Sequence, residues 1–555
     1  MKTKLSNNFF GILLSITPIA LYFYFLSKYA VNIPKWDDHA LKAFLLEFHD
    51  GKGIFAKSLP FFKQHNEHRI AFDRIITLLV SEVHGHIEYR WLMWIGNLTL
   101  VGVIGIFFKI FQKNKLSFIS FVPIPFIIFQ LELWENTFWG MASLQNFGIL
   151  LFVFALIYFV SINNQRSFLW SIFFAVLATY TSGNGMLAFP VCVCILALQK
   201  RWKDVTIFTL TALVLIILYF YHFHFPDNGV KELLSNNIQK LIVGFFCFNG
   251  AIADLFPLSS TRLQITAVSG ILLTFFAFGL SFYWILNSSL FAKKEKTSST
   301  EYFILGCFMF LIASSIVVSV TRINLGEMGL LTSRYKIYSV MMVVCIHIGL
   351  LLNLKQDKVK IFIYSTLLIS IGFNILANFT CFDEMVNLRK QLLTLSANWD
   401  LETIQTNNKS QITFYQKPST IFDNIKSKLS KDIKQLPAWE GYKNLKMEHT
   451  NNISIQNSNF ERTEDIDDGA YLIIQSTSKT FLVPALQHSF SVRSFLKHGK
   501  YWAKGFDIDI DKIELTKGVN HLGIWIQEGK SSQQFYLNDS LVIQNSPVRV
   551  VNSNW

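Results

Sequence analysis

Residues 302–320 read YFILGCFMFLIASSIVVSV, a stretch without a single charged side chain. A helix of that length rises about 28 Å, close to the roughly 30 Å hydrocarbon core of a bilayer. The stretch therefore predicts a membrane-spanning helix. Comparable runs recur through the first two thirds of the chain, and we predict about eleven spans, near residues 9–29, 90–111, 117–133, 144–162, 167–181, 186–199, 204–222, 264–288, 302–320, 335–353 and 359–378.

The composition agrees with a polytopic α-helical membrane protein. The chain has 555 residues, 51% of them hydrophobic, and a mean hydropathy of +0.35. Because so many long apolar runs exceed what one soluble core needs, several spans are expected. The first run lacks an obvious cleavage signal, so we interpret it as a retained anchor. Five of the six cysteines lie in apolar runs and Cys381 borders the last one, so no disulfide framework is predicted.

The net charge of +13 is distributed in a way that argues against nucleic-acid binding. Lysine and arginine concentrate at alternate connections between the runs, which the positive-inside rule assigns to the cytoplasm. We therefore predict a multi-pass membrane protein with the N-terminus in the cytoplasm and everything after about residue 379 outside. The basic connections contain Lys2, Lys4, Lys109, Lys113, Lys115, Arg166, Lys200, Arg201, Lys203, Lys293, Lys294, Lys296, Lys355, Lys358 and Lys360.

Three regions are predicted. Residues 1–380 form the membrane region, in which residues 30–89 are a long first outer loop with amphipathic helices. The spacing of Leu41, Phe44, Leu45 and Phe48 is typical of such a helix, which we expect on the membrane surface. Residues 230–262 suggest a re-entrant or interfacial hairpin.

The tail differs sharply in composition from the membrane region. Residues 381–440 are expected to be a helical connector, and residues 441–555 a small extracytoplasmic β-sandwich. That prediction is based on short β-prone runs separated by turn-rich sequence; they lie at 471–475, 480–483, 489–495, 521–526, 534–537 and 541–544.

The predicted outer face carries the chemically interesting residues. Asp37 and Asp38 follow the first span, where a carboxylate could cap the next helix or act as a general base toward a hydroxyl. Both interpretations stay open. His39 follows directly and is a candidate for substrate binding.

The segment 65–69, His-Asn-Glu-His-Arg, is predicted to begin a helix that runs toward Glu82. On a helix, His65, His68 and Arg69 would share one face. A solvated helix start with Arg69 paired to Asp73 explains the same pattern without any function. Asp37, Asp38 and Glu67 offer oxygen ligands that suit a divalent cation such as Mg²⁺ or Mn²⁺.

Three short outer connections supply further candidates. Arg322 and Arg334 lie before the tenth run, at the depth of a lipid phosphate, which arginine can clamp through two parallel hydrogen bonds. Tyr335 follows Arg334. Glu135, Gln145 and Asn184 could donate or accept hydrogen bonds from a sugar, although each could equally satisfy a helix end.

In this order the elements resemble the GT-C superfamily of multi-spanning glycosyltransferases. The resemblance covers about residues 1–380 and rests on the shared order and side of five short motifs, each weak singly. They are Trp36 to Asp38, Asn66 to Arg69, Trp134 to Asn136, Ser182 to Gly185 and Ser333 to Tyr335.

The resemblance implies an inverting glycosyltransferase with a polyprenyl-phosphate-linked sugar as donor and a glycan or lipid-linked acceptor. It implies that Asp37, or failing it Asp38, is the base and that Arg334 steadies the leaving phosphate. The remaining candidates would shape the pocket for the sugar; they are His39, His65, Asn66, Glu67, His68, Arg69, Glu135, Asn184, Arg322 and Tyr335.

Two rival functions stay open. A flippase of lipid-linked glycans should carry polar residues through the middle of several spans, and these runs are poor in them. An O-antigen polymerase or ligase should show a large late outer loop rich in arginine, whereas the acidic loop here comes first.

Overall fold

The structure is a computed structural model that describes residues 2–225, 238–256, 260–293, 296–401, 414–441, 445–449 and 453–544. The chain divides into two compact units. The first comprises Met1–Lys28, Phe44–Gly85 and Arg90–Cys381, and the second comprises Tyr29–Ala43, His86–Tyr89 and Phe382–Trp555. Each unit is described by itself below.

Within the described residues, nine helices are long and apolar enough to cross a membrane. This architecture is compatible with a polytopic membrane protein. The nine segments are Phe10–Tyr29, Tyr89–Lys113, Phe118–Thr137, Gly140–Ser161, Trp202–Phe220, Arg262–Leu286, Ser299–Thr321, Ser333–Asn353 and Asp357–Leu401.

Two further helices, Gln165–Thr179 and Ala188–Leu198, are shorter than a full span. The loop between these two helices nevertheless contacts a different end of the first unit from the loops outside them. Gln199 donates to the carbonyl of Ser161 at 3.0 Å, whereas Gly183, between the helices, contacts His68. The two short helices therefore connect the same two sets of loops as their longer neighbours. The count of eleven spans stays a prediction.

The core of the first unit is built from aromatic and aliphatic side chains of several helices. Phe107, Phe154 and Phe303 come from three different helices, and their ring centroids lie 6.0 to 6.3 Å apart. All three side chains are buried. Such contacts fix the helices that carry the outer loops.

The first outer loop is helical, as predicted, but its polar segment is not. Helices Asp38–Asp50, Gly53–Phe62 and Ala71–His84 are separated by a small antiparallel hairpin of β1 (Gln64–His65) and β2 (His68–Arg69). The expected helical face of His65, His68 and Arg69 is therefore wrong. Asn66 has a φ of 47°, a left-handed turn conformation that a helix cannot contain.

Helix Asp38–Asp50 was expected to lie on the membrane surface, but its apolar side chains are covered by protein. Leu41, Phe44 and Leu45 are buried inside the protein, and the Phe44 ring packs edge-on against Phe61 at 5.0 Å. The apolar stripe of this helix thus packs against protein.

Part of the predicted hairpin at 230–262 lies outside the described residues. The described part contains helix Ile238–Asn249, whose twelve residues span about 18 Å and cannot cross a bilayer. It packs so closely on helix Arg262–Leu286 that a Cβ on Gly250 would lie 1.9 Å from the Thr266 carbonyl oxygen.

The described residues of the second unit form seven strands in two antiparallel sheets. One sheet has the order β3-β4-β7 and the other β6-β5-β8-β9. Ile453, Ile455, Ile508 and Ile510 from the first sheet share a buried cluster with residues of the second, including Leu472. This arrangement is a small β-sandwich. The strands are β3 Leu445–His449, β4 Ile453–Asn457, β5 Gly469–Gln475, β6 Thr480–Pro484, β7 Phe506–Ile510, β8 Gly518–Glu528 and β9 Ser531–Ile543.

Helix Gln356–Leu401 continues from the last apolar run into the second unit. The predicted connector is helical to Leu401 and again over Ile425–Lys428, while residues 402–413 lie outside the described residues. Residues 489–495, predicted as a strand, contribute to helix Val492–His498 instead. All six cysteines belong to the first unit, and none of them forms a disulfide.

Candidate functional site

The turn before helix Asp38–Asp50 holds the two candidate carboxylates in different environments. Trp36 has a φ of 45° and is 59% exposed. Asp38 is fully buried, and its carboxylate accepts a hydrogen bond from the Lys35 amide at 3.0 Å. Asp38 therefore closes the turn that precedes its helix, whereas Asp37 is half-buried.

His39 is kept neutral by its surroundings. Burial, followed by the nearby charge of Lys42, lowers the pKa of His39 to about 4. Its ring contacts Trp399 edge-on at 5.7 Å. A neutral imidazole can donate one hydrogen bond and accept another, but it carries no charge for a phosphate. Asp37, Asp38 and His39 all belong to the second unit.

The hairpin 64–69 is anchored by Arg69. Its guanidinium donates to the backbone carbonyls of Phe62, Tyr219 and Tyr221. Since these carbonyls occupy its donors, Arg69 holds the hairpin in place, and the pairing with Asp73 considered from sequence is not the arrangement found. In the same hairpin, burial and then Arg74 lower the pKa of His65 to about 4, and the Asn66 carbonyl accepts from Gln64.

Four separate segments of the first unit meet in a group of polar residues that we call the polar ring. It consists of Glu67, His68, Gly183, Asn184, Arg322, Arg334, Tyr335 and Tyr338. Six of these eight residues are sequence candidates, and Gly183 and Tyr338 are additions from the structure.

One half of the polar ring is an ion pair. Both guanidinium nitrogens of Arg322 reach the Glu67 carboxylate, at 3.1 and 2.7 Å. Arg322 also interacts with Tyr335. Burial lowers the pKa of Arg322, but Tyr335 and Glu67 raise it, and the pKa lies above its ordinary value. Arg322 is therefore a fixed, permanently charged group.

The other half is held by neutral hydrogen bonds. The Gly183 amide donates to Nδ1 of His68 at 3.2 Å, and Asn184 donates to the Tyr338 hydroxyl at 2.6 Å. A Cβ on Gly183 would lie 3.0 Å from the His68 ring, so only glycine lets the two segments approach freely. Tyr338 lies one helical turn after Arg334 on helix Ser333–Asn353, so this helix carries residues of both halves of the polar ring.

Arg334 differs from Arg322 because no carboxylate in the described part of the chain neutralises it. Its guanidinium lies 5.9 Å from the Trp139 ring and 5.6 Å from the Tyr335 ring. Among the described residues it forms no ion pair, and its Nε is buried without a hydrogen-bond partner. With Glu67, Arg322 and Arg334 ionised, the polar ring carries one net positive charge.

Two more buried polar atoms near this level have no hydrogen-bond partner among the described residues, Oδ1 of Asn184 and Nε2 of Gln145. Buried polar atoms are nearly always paired with protein, water or ligand. The Glu135 amide donates to the Ser333 hydroxyl at 3.1 Å, which links the loop 134–139 to the residue before Arg334.

Sequence reasoning missed a buried charge network beneath the polar ring. Lys336 donates to Glu132 at 2.8 Å and lies 3.0 Å from the Asp254 carboxylate, which also binds Arg262 through both oxygens. The formal charges of the two acidic and two basic side chains cancel. Charged residues inside apolar runs, such as Glu132 and Lys336, were the signal that could have found it.

The donor set for a divalent cation is not assembled as a cluster of three. Within the described part of the chain, no group of three or more His, Cys, Asp or Glu side chains could hold a metal ion. Glu67 is occupied by Arg322 and Asp38 by the Lys35 amide. We therefore derive no step through a metal.

Comparison of the chain with protein-family models, with curated proteins and with solved structures found no match.

Proposed function

We propose that the chain is an inverting glycosyltransferase of the bacterial cytoplasmic membrane. It moves a sugar from a polyprenyl-phosphate carrier to a hydroxyl of a cell-surface or lipid-linked glycan at the outer face. The observation that carries the proposal is Arg334, a guanidinium between two aromatic rings with a buried, unpartnered Nε and no carboxylate partner among the described residues.

A phosphate is the anion that this environment fits best. Guanidinium binds phosphate through parallel hydrogen bonds, and partial burial strengthens each of them. A phosphodiester-like donor carries one negative charge, which the single net positive charge of the polar ring balances. Because negative charge grows on the phosphate as it leaves, a fixed guanidinium stabilises the transition state more than the bound donor.

The sugar would meet neutral hydrogen-bonding groups. The unpaired Oδ1 of Asn184 can accept from a sugar hydroxyl, and Nε2 of Gln145 can donate to one. Neutral groups of this kind orient a sugar without competing with Arg334 for the phosphate. Trp139 adds an apolar ring surface beside them.

The proposed chemistry needs one base. The acceptor oxygen attacks the anomeric carbon, the bond from that carbon to the phosphate oxygen breaks, and the electron pair leaves with the polyprenyl phosphate. The acceptor proton passes to a carboxylate. Of the two candidates we assign this role to Asp37, because Asp38 is fully buried and engaged with the Lys35 amide.

The decisive experiment is consumption of the donor. Purified protein in lipid discs is incubated with radiolabelled polyprenyl-phosphate sugars and a membrane-glycan extract as acceptor, and the loss of labelled lipid is followed. We expect turnover by the natural chain and none by Asp37→Asn, with Glu47→Gln as a control carboxylate variant on the same helix. A transporter would move the donor and leave it intact, and that result would refute the proposal.

A further inference from the structure

A basic loop of the second unit, residues 491–500, lies outside everything proposed above. Its sequence is SVRSFLKHGK and includes no acidic residue. It contains helix Val492–His498, which Gly499 ends with a φ of +67°. Arg493, Lys497 and Lys500 are exposed, and Leu496 at the centre of the loop is 78% exposed.

The direction in which this loop points follows from the segment before it. Leu482 exchanges two hydrogen bonds with Asn398, Ala485 accepts from Lys390, and Gln487 exchanges two with Asn387. The Ser489 amide then donates to Asp383 at 2.9 Å. Residues 482–489 therefore run antiparallel to helix Gln356–Leu401. Of these residues, Ser489 contacts the part of the helix nearest in sequence to its apolar run.

The contact between Ser489 and Asp383 lies just after the end of that apolar run. The run predicted at 359–378 is followed by its first carboxylates at Asp383 and Glu384. At this level the rings of Tyr29, Phe382, Tyr501 and Trp502 form a chain of contacts at 5.6, 5.1 and 4.9 Å. Tyrosine and tryptophan are enriched where a membrane protein meets the headgroups.

The loop begins at this level. Phe490 donates to the Tyr501 carbonyl at 2.7 Å and Ala503 to the His488 carbonyl at 3.0 Å, so the two arms are paired at their base. Residues 491–500 therefore emerge from this pairing at the end of segment 482–489 that contacts Asp383. The His498 ring lies 6.2 Å from the Phe490 ring, so the loop helix returns to the base of the loop and keeps its exposed side chains at this level.

We propose that residues 491–500 are a membrane-docking loop that binds anionic lipid headgroups. Arg493 and Lys497 contact lipid phosphates, and Leu496 enters the apolar boundary below them. Neither Arg493 nor Lys497 has an ion-pair partner among the described residues, whereas Lys500 lies 3.9 Å from Glu461. Cationic side chains flanking an exposed apolar one are the composition that anionic membrane surfaces attract.

The test uses the full-length protein in lipid discs with an environment-sensitive fluorophore on Leu496→Cys. Val542→Cys is the matched control, because Val542 is 67% exposed and lies at the opposite end of the four-stranded sheet from Gly469 and Lys390. We expect brominated lipids to quench the label at 496 but not at 542. The natural chain, treated with the same fluorophore, reports the background from its own cysteines.

The charge requirement is tested in the same discs. Phosphatidylglycerol should strengthen quenching at 496, and Arg493→Gln with Lys497→Gln should weaken docking roughly 25-fold, about five-fold for each cation removed. Lys426→Gln with Lys431→Gln is the control, since both lysines are exposed elsewhere in the unit. Equal quenching at 496 and 542, or quenching at 496 that ignores both lipid charge and the glutamine pair, would overturn the proposal.

Discussion

Arg322 and Arg334 are the same side chain in opposite electrostatic settings. Arg322 is neutralised by a two-pronged contact with Glu67, whereas Arg334 faces two aromatic rings and has no carboxylate partner among the described residues. A paired guanidinium stabilises structure, and an unpaired one attracts an anion. The two arginines therefore should respond differently to substitution.

Arg334→Gln should lower kcat/KM for the lipid-linked donor by about 100- to 1,000-fold, the usual loss when a group that stabilises transition-state charge is removed. Arg334→Lys should recover only part of it, because an ammonium cannot form two parallel hydrogen bonds. Initial rates of donor consumption measure both, with the exposed Arg166→Gln as control. Unchanged rates in Arg334→Gln would remove the phosphate role.

The adjacent aspartates separate catalysis from stability. Asp38→Ala should destabilise the protein by about 1–3 kcal/mol, because it leaves the buried Lys35 amide without its acceptor. Asp37→Ala should cost less stability while abolishing transfer. Thermal unfolding in detergent and donor consumption, measured on the same preparations, distinguish the two roles. The reverse pattern would make Asp38 the base.

Two half-buried histidines predict a loss of stability in mild acid. The pKa values of His39 and His65 fall from 6.5 to about 4 on folding, because of burial. Below pH 6.5 the unfolded chain gains protons that the folded chain does not, so unfolding becomes more favourable down to about pH 4. The melting temperature should fall over this window. His39→Gln with His65→Gln should flatten the fall, whereas the exposed His498→Gln should not.

At the scale of elements, the sequence predicted apolar helices better than polar segments. The run 302–320 lies within helix Ser299–Thr321 because nineteen uncharged, mostly apolar residues leave few alternatives. The segment 65–69 was predicted helical, but Arg69 binds three carbonyls and Asn66 takes a left-handed turn. Tertiary contacts of that kind are invisible to local spacing.

The strands show the same division. The runs at 471–475, 480–483 and 521–526 lie in β5, β6 and β8, and one strand, β9, covers both later runs. Strands β3, β4 and β7 were missed, although ISIQN in β4 and FDIDI in β7 alternate between apolar and polar residues. Residues 489–495 became part of a helix because Ser491 caps it and Gly499 ends it.

The polar ring was predictable in membership but not in pairing. Its arginines and Asn184 were candidates on chemistry alone. That Glu67 would neutralise Arg322 rather than Arg334 depends on how loops far apart in sequence meet, which spacing does not encode.

The buried network around Lys336 gives a prediction for the element that carries Arg334. Lys336→Met should destabilise the protein by about 3–5 kcal/mol, because Glu132 and part of Asp254 lose their buried partner. Adding Glu132→Gln should restore part of the loss. Heating in detergent followed by size-exclusion chromatography measures this, with the exposed Lys203→Met as control. Additive losses in the double variant would mean that the two residues do not interact.

At the scale of the whole molecule, the two possible span counts lead to one topology. Nine long helices among the described residues, or eleven with the shorter pair, are both odd numbers, so either count predicts that the two chain ends lie on opposite sides of the membrane. The concentration of lysine and arginine at alternate connections then favours a cytoplasmic N-terminus.

Cysteine labelling in intact spheroplasts tests this topology. Trp36→Cys should react with a membrane-impermeant maleimide, whereas Lys203→Cys should react only after permeabilisation, because both positions are exposed but on opposite predicted sides. The natural chain, whose cysteines are almost all buried, is the background control. Reaction of Lys203→Cys in intact spheroplasts would invert the topology and leave Asp37 in the cytosol.

The confinement of all six cysteines to the first unit has a practical consequence. The seven-stranded sandwich is stabilised by its apolar interior and needs no cross-link, so its maturation does not depend on the oxidising machinery that many exported domains require. Reductants should leave it intact. Cell-free synthesis directly into lipid discs, in the presence of dithiothreitol, is therefore a suitable route to the material for these assays.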